Sequence, residues 1–400
     1  MNYSEEQQGA IDAVLNWLHE GAADGVFRLF GVAGTGKTTL AKEIANRVEG
    51  KVIFAAFTGK AALVLNSKGC YGARTIHSLI YTPREKCAEA LTALREKIEL
   101  EKDDDRRREL QDEFNLEREN LKRPAFNLNS SSDLSGSSLL ILDEVSMVDQ
   151  FIAQDLMSFD CPILALGDPA QLPPVKGTGY FIKAEPDYML TEIHRQAAES
   201  PILALATKIR MGEWVPYEPD GDARVVPKGR IKAPELASGF DQVICGTNRT
   251  RRIVNNHIRR ELGFEGPLPV IGDRIICLRN DQDSGLLNGS QWDVNGVISS
   301  PCDEDKLILS IAAAGDETAY TFDVNAHRQF FLGTEDEIAH YDMRTAQSFE
   351  FAYCITAHKS QGSAWPRVCV IDESRIFEPN AAKHLYTSVT RASEHVTVIR

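Results

Sequence analysis

Nowhere does the chain hold the roughly 18 consecutive apolar residues that a membrane-crossing helix needs. Its start, Met1-Asn2-Tyr3-Ser4-Glu5-Glu6, has neither a basic opening nor an apolar stretch, so no secretory signal is expected. The eight cysteines stand singly at 70, 87, 161, 245, 277, 302, 354 and 369. Without a CxxC pair there is no sign of a zinc site or a disulfide scaffold, and buried thiols in a reducing cytoplasm are expected. Positive charge is also short: 44 Lys and Arg face 58 Asp and Glu, a formal net charge of −14. That balance weighs against a nucleic-acid binder without excluding one, because binding needs only a local basic groove. Asn248-Arg249-Thr250-Arg251-Arg252, followed by Arg259-Arg260, is such a concentration.

What is present is a globular composition, 43% hydrophobic and 26% charged over 400 residues, long enough for two to four domains. Val26–Phe30, Lys51–Ala56, Leu139–Leu142 and Ile163–Leu166 read as short apolar strands, with a helix over Thr38–Arg47. Continuous apolar strands alternating with helices predict a parallel sheet covered on both faces. Residues 83–123 break the pattern with dense charge. Cys87, Leu91, Leu94 and Ile98 form one helical stripe and Leu110, Phe114 and Leu121 another, which predicts a helical hairpin. Asn127–Ser138 reads as its return linker. From Gly263 the texture turns to short strands around Asn288-Gly289 and Asn295-Gly296, as in a small β-barrel inserted into a second α/β domain that resumes at Phe351.

Gly31-Val32-Ala33-Gly34-Thr35-Gly36-Lys37-Thr38 is a P-loop with a strand before it and a helix after it. Its glycines let backbone N–H groups wrap phosphates, Lys37 reaches the outer phosphates and the Thr38 hydroxyl suits Mg²⁺. Asp143 and Glu144 end a buried strand, where ligands of open parallel sheets sit. Asp143 suits the metal, and Glu144 is a base for water. Gln171, after the next apolar strand, can sense a γ-phosphate, although a proline-rich turn explains it as well.

These blocks, in this order, resemble superfamily 1 helicases of the RecD/Dda-like (1B) branch. Ser4-Glu5-Glu6-Gln7 resembles the adenine-reading Q motif. Phe57-Thr58-Gly59-Lys60-Ala61-Ala62 and Thr75-Ile76-His77-Ser78-Leu79 resemble strand-contacting motifs. Leu190 to Gln196, with Arg195, resembles motif IV; Thr356 to Ser363 motif V; and Leu385 to Ala392, with Arg391, motif VI. The resemblance implies two RecA-like P-loop domains, 1–82 with 139–188 and 189–263 with 346–400. A helical insertion at 83–138 and an SH3-like insertion at 264–345 complete that layout.

The resemblance further implies ATP and Mg²⁺ at a cleft where Arg195 and Arg391 meet Lys37, Glu144 and Gln171. Nucleotide contacts fall to Gln7, Gly34, Thr35, Gly36, Lys37, Thr38, Thr39 and Gly362, and metal ligation to Thr38 and Asp143. Thr58, Gly59, Lys60, His77, Thr356, His358 and Lys359 are the implied strand contacts, to which the basic concentration adds Asn248 and Arg249. The expected activity is 5′ to 3′ translocation on single-stranded DNA, coupled to duplex unwinding, by a cytoplasmic monomer. The charged hairpin is offered to a protein partner, and no membrane is involved.

Bland roles stand beside these. His77 and His358 suit core positions, Lys60 and Lys359 solvated ones, Arg249, Arg251 and Arg252 helix-surface pairs, and Tyr386 and Trp365 core packing. Ala364 stands where the branch usually has glutamate. An RNA-directed or protein-displacing translocase stays open as the alternative.

Overall fold

The computed structural model describes residues 3–22, 25–83, 126–174, 179–192, 199–281, 284–299, 305–315, 318–338, 343 and 345–400, with scattered positions between 94 and 114. The first domain is built on a six-stranded sheet, parallel throughout. Its order is Arg74–Thr75, Val52–Ala56, Leu139–Asp143, Ile163–Gly167, Val26–Gly31 and Tyr188–Leu190. Alternate residues of the apolar strands serve opposite faces. Leu29, Ile141 and Leu164 join a core with the helices Glu5–His19, Lys37–Arg47 and Gly59–Ser67, while Phe30, Leu140 and Ala165 join another around Leu156 and Phe181. Such two-sided burial explains the unbroken apolar runs. It also sets the C-terminal ends of Val26–Gly31 and Leu139–Asp143 on one edge, with a single strand between them.

The second parallel sheet runs Cys354–Thr356, Gln242–Cys245, Trp365–Ile371, Ala392–Ile399 and Ala223–Val226. Its edge strand is held by Asn255 of the helix Asn248–Glu261, which accepts from the Cys354 N–H at 2.9 Å and donates to the Cys354 carbonyl at 2.8 Å. Those outward backbone groups are thereby satisfied.

Between the halves of this domain lies an antiparallel sheet, ordered Phe322–His327, Lys306–Ala313, Gln291–Ser299, Arg274–Cys277 and Phe349–Phe351. A bridge between Ala326 and Gln347 brings its two outer ends together. Because Phe349–Phe351 pairs with Arg274–Cys277, this unit reaches beyond residue 345, where the sequence reading ended it.

The stretch expected as a linker from Asn127 opens as a strand instead. Phe126–Leu128 pairs antiparallel with Tyr81–Pro83, giving the 83–123 insertion a ribbon at its base. The expected helical hairpin itself lies almost wholly outside the described residues. Among the described residues no helix is long and apolar enough to cross a membrane.

Candidate nucleotide site at the domain seam

The P-loop leaves its strand at Gly31 and enters its helix at Lys37. Gly34 and Gly36 adopt φ of +86° and +82°, a region open to glycine at little cost. A Cβ on Gly31 would stand 2.6 Å from Thr35 Oγ1 and 2.9 Å from Leu190 Cβ, so only glycine fits. Thr35 is buried and donates to the Val32 carbonyl at 2.9 Å. The Lys37 ammonium donates to the carbonyls of Gly31 at 2.6 Å and Val32 at 3.2 Å, inside the loop. Thr39 donates its N–H to Gly36 in the first helical turn.

Gln7 is buried and braces the loop: its amide donates to the Thr35 carbonyl at 3.1 Å, and it forms a capping box with Ser4. Next to it, the Glu6 carboxylate accepts from the Thr191 N–H at 2.9 Å and the Glu192 N–H at 2.8 Å. That contact fastens the first helix to the segment leading to Arg195, which itself lies outside the described residues.

Asp143 and Glu144 end the neighbouring strand. Glu144 has φ of +55°, a strained backbone for a residue with a side chain, and its N–H donates to Asp143 Oδ1 at 2.9 Å. Burial raises the pKa of both carboxyls. The Glu144 N–H, Lys37 and the Thr38 hydroxyl pull Asp143 back down, while Arg391 is the strongest downward pull on Glu144. An arginine of the second domain thus acts electrostatically on a carboxylate of the first.

The seam is closed by hydrogen bonds from the second domain. Tyr386, buried, donates to Asp168 Oδ2 at 2.6 Å and accepts the Ala33 N–H of the P-loop at 3.0 Å. Leu172 donates its N–H to Thr387 Oγ1 at 2.9 Å, and Gln361 donates its amide to the Leu172 carbonyl, also at 2.9 Å. Between these bonds Gln171 is buried, with its Oε1 lacking a hydrogen-bond partner. Arg391 is held by the carbonyls of Thr387, at 3.0 Å, and Ser363, at 3.4 Å. Sequence reasoning gave Tyr386 a packing role and missed its hydroxyl. It also left Gln361 without a task, although the motif contains it.

The expected strand contacts are only partly brought together. Thr58 caps the helix Gly59–Ser67, and the Lys60 ammonium lies 4.7 Å from the Trp365 ring centre of the other domain, with burial lowering its pKa to about 8. Gly362 belongs with this turn: a side chain there would meet Thr58 Oγ1 at 3.0 Å and Ala61 Cβ at 3.1 Å. Gly59 is crowded by Leu287 of the small sheet, 2.8 Å from where its Cβ would be. His77 sits half-buried between Phe57 and Tyr81, and burial lowers its pKa as it does that of His358. Thr356 is buried at the end of its strand.

The basic concentration after Asn248 is mostly consumed within the fold. Buried Arg251 pairs with Glu350 at 2.7 Å, and Lys359 pairs with the same carboxylate. Arg252 pairs with Glu335 at 2.7 Å, and buried Arg259 pairs with Asp273 at 2.9 Å. Asn248, Arg249 and Arg260 are left exposed. A cluster in sequence is therefore not a groove in space, because its partners come from distant segments. Even the start of this helix is engaged: Glu373 accepts from the N–H groups of Gly246 and Thr247, each at 2.9 Å.

Residues 2–216 match the family model described as AAA domain, more than half of the chain. The chain belongs to the AAA-domain family. Residues 351–399 of this AAA-domain protein match the model of a UvrD-like helicase C-terminal domain. The ATP-dependent RecD2 DNA helicase of Deinococcus radiodurans is 26% identical over 426 residues, covering 98% of this chain and 48% of that protein. The chain thus spans about half the length of this curated relative. Pif1 helicase structures share the fold. A Bacteroides Pif1 in complex with ADP-AlF3 and ssDNA gives a TM-score of 0.56 at 20% identity, covering 100% of this chain and 92% of that one. Pif1 from Candida albicans gives 0.52 at 19% identity, covering 100% and 94%. The second model, the curated relative and the structural neighbours thus all carry helicase names.

Proposed function

We propose that the chain is an ATP-driven motor that steps along single-stranded DNA, 5′ to 3′, and opens duplexes ahead of it. The observation that carries this reading is the bonded seam: Tyr386 of one domain bonds Asp168 and the P-loop Ala33 of the other, and Thr387 and Gln361 bond Leu172 beside Gln171. Hydrolysis then depends on how the two domains meet, which is what a motor requires. The names of the RecD2 relative and the Pif1 neighbours agree with it.

In this reading Lys37 and the P-loop amides of Gly34, Thr35 and Gly36 hold the phosphates, and Gln7 keeps the loop in shape. Glu144 takes a proton from water, whose oxygen bonds to the γ-phosphorus as the bond to the bridging oxygen breaks, leaving ADP and phosphate. Arg391 and Arg195 answer the charge that develops, and the unpartnered Oε1 of Gln171 accepts from the attacking water and so helps to place it beside the γ-phosphate.

Mg²⁺ fits the residues present. Thr38 and Asp143 are linked oxygen donors beside the loop, and one carboxylate suffices where phosphates and water fill the remaining positions. Bound there, the ion would neutralise charge on the phosphates. Thr58, Lys60, His77, Thr356 and His358 would grip the strand on the face next to the seam.

The test is unwinding of duplexes with 5′ or 3′ single-stranded tails in ATP and Mg²⁺, with phosphate release measured on deoxy and ribo homopolymers. Opening only of 5′-tailed DNA is the expected result. Absence of any polymer-stimulated hydrolysis removes the proposal.

A further inference from the structure

On the C-terminal edge of the second sheet, beyond Ile371 and Ile399, lies a groove of about 450 Å³ that the nucleotide site does not use. Three large side chains around it are left in water: Trp214 at 78% exposure, Ile376 at 67% and Tyr217 at 59%. An indole, a phenol and an aliphatic chain gathered in the open form a patch of the kind that marks a binding surface.

The charges of the groove are arranged to leave it positive. Of its carboxylates, Asp372 pairs with Arg400 at 2.9 Å, and Glu373 is taken up by the Gly246 and Thr247 amides. Lys228 and Arg375 are exposed and enter no ion pair among the described residues. Two uncommitted cations beside two exposed rings contrast with a chain whose net charge is −14.

The groove also continues the strand-contact face. Ile376 is followed by Phe377, whose ring centre lies 6.4 Å from that of His358 and whose edge would lie 2.7 Å from a Cβ on Gly246. The ends of the strands that carry Thr356, Gly246 and Glu373 therefore form one edge.

We infer that this groove is an extension of the single-strand track past His358, an inference that rests on the motor reading above. Trp214 and Tyr217 stack on bases, and Lys228 and Arg375 meet the flanking phosphates. Rings combined with exposed cations suit a strand of any sequence, since every base offers a π-face.

Oligothymidylates with one 5-iododeoxyuridine stepped along them, irradiated on the full chain and mapped by mass spectrometry, test the placement. The expected adducts are on Trp214 or Tyr217 from nucleotides near one end of the bound strand. Adducts confined to the surroundings of Lys60 and His358 overturn the groove and leave the motor intact. No adduct anywhere, with no polymer-stimulated hydrolysis, removes the motor reading as well.

The double variant Trp214→Ala/Tyr217→Ala gives a second readout. Long oligothymidylates are expected to bind about tenfold more weakly, and ones too short to reach the groove as in the wild type. Equal loss at all lengths, or no loss, overturns the inference; so does an acidic peptide that binds the groove while oligothymidylate does not compete. Thermal melting checks that the variant is folded.

Discussion

Tyr386 of the second domain donates to Asp168 of the first at 2.6 Å, and the same hydroxyl accepts the Ala33 N–H of the P-loop. One oxygen therefore joins both sides of the seam at the loop expected to hold the phosphates. Tyr386→Phe removes that oxygen and little volume, leaving a buried carboxylate and an amide short of a partner. Stability should fall by about 1–3 kcal/mol. Thermal unfolding checks this, and steady-state hydrolysis should lose kcat with KM nearly kept.

Glu144 and Arg391 are expected to act in the chemical step. Glu144→Gln keeps the shape but removes the base, so turnover should drop about 10²-fold or more while nucleotide still binds. Arg391→Ala should cost about 10³-fold, as for arginine fingers elsewhere. Phosphate release and equilibrium binding of a fluorescent nucleotide separate the two effects. Hydrolysis near the wild-type rate in either variant refutes the assignment.

With Lys60 in its proposed strand contact, binding of the strand should depend on pH. Burial lowers its pKa to about 8, so its charge is present below that pH and lost above it. A phosphate at Lys60 draws the proton back. Affinity for oligothymidylate should therefore weaken between pH 7 and pH 9, approaching tenfold per unit above pH 8. Lys60→Arg keeps its charge throughout, and a titration of that variant should be flat over the same range.

His384 makes a separate claim about acid stability. Its ring is buried, stacked 4.3 Å from Phe377, and neither nitrogen has a hydrogen-bond partner. Burial lowers its pKa to about 4 from 6.5. Between those values the unfolded chain binds the extra proton, so stability rises with pH there. Acidification from pH 6.5 to pH 4 should cost about 3 kcal/mol through this group. Denaturant midpoints across that range should change less in His384→Phe, which also removes two unpartnered atoms.

The phosphate loop and the acidic strand end were legible because their chemistry is written in consecutive residues: Gly31 to Thr38, and Leu139 to Glu144. The parallel sheets were legible for a similar reason, since strands buried on both faces must be apolar throughout. Pairing over distance was not. Nothing near Arg251 or Arg259 in the sequence points to Glu350 or Asp273, which neutralise them. Likewise, Tyr386 meets Ala33 across 353 positions. The packing of Gly362 on Thr58 and Ala61 was equally hidden, because a motif records the order of residues and leaves open which neighbour each one meets.

Gly59 lacks a side chain at the spot where Leu287 presses in, so the accessory unit is keyed into the first domain as a tooth into a notch. Rocking that unit would drag on the very helix start that carries Thr58 and Lys60, giving whatever it touches outside a mechanical route to the proposed footing of the strand.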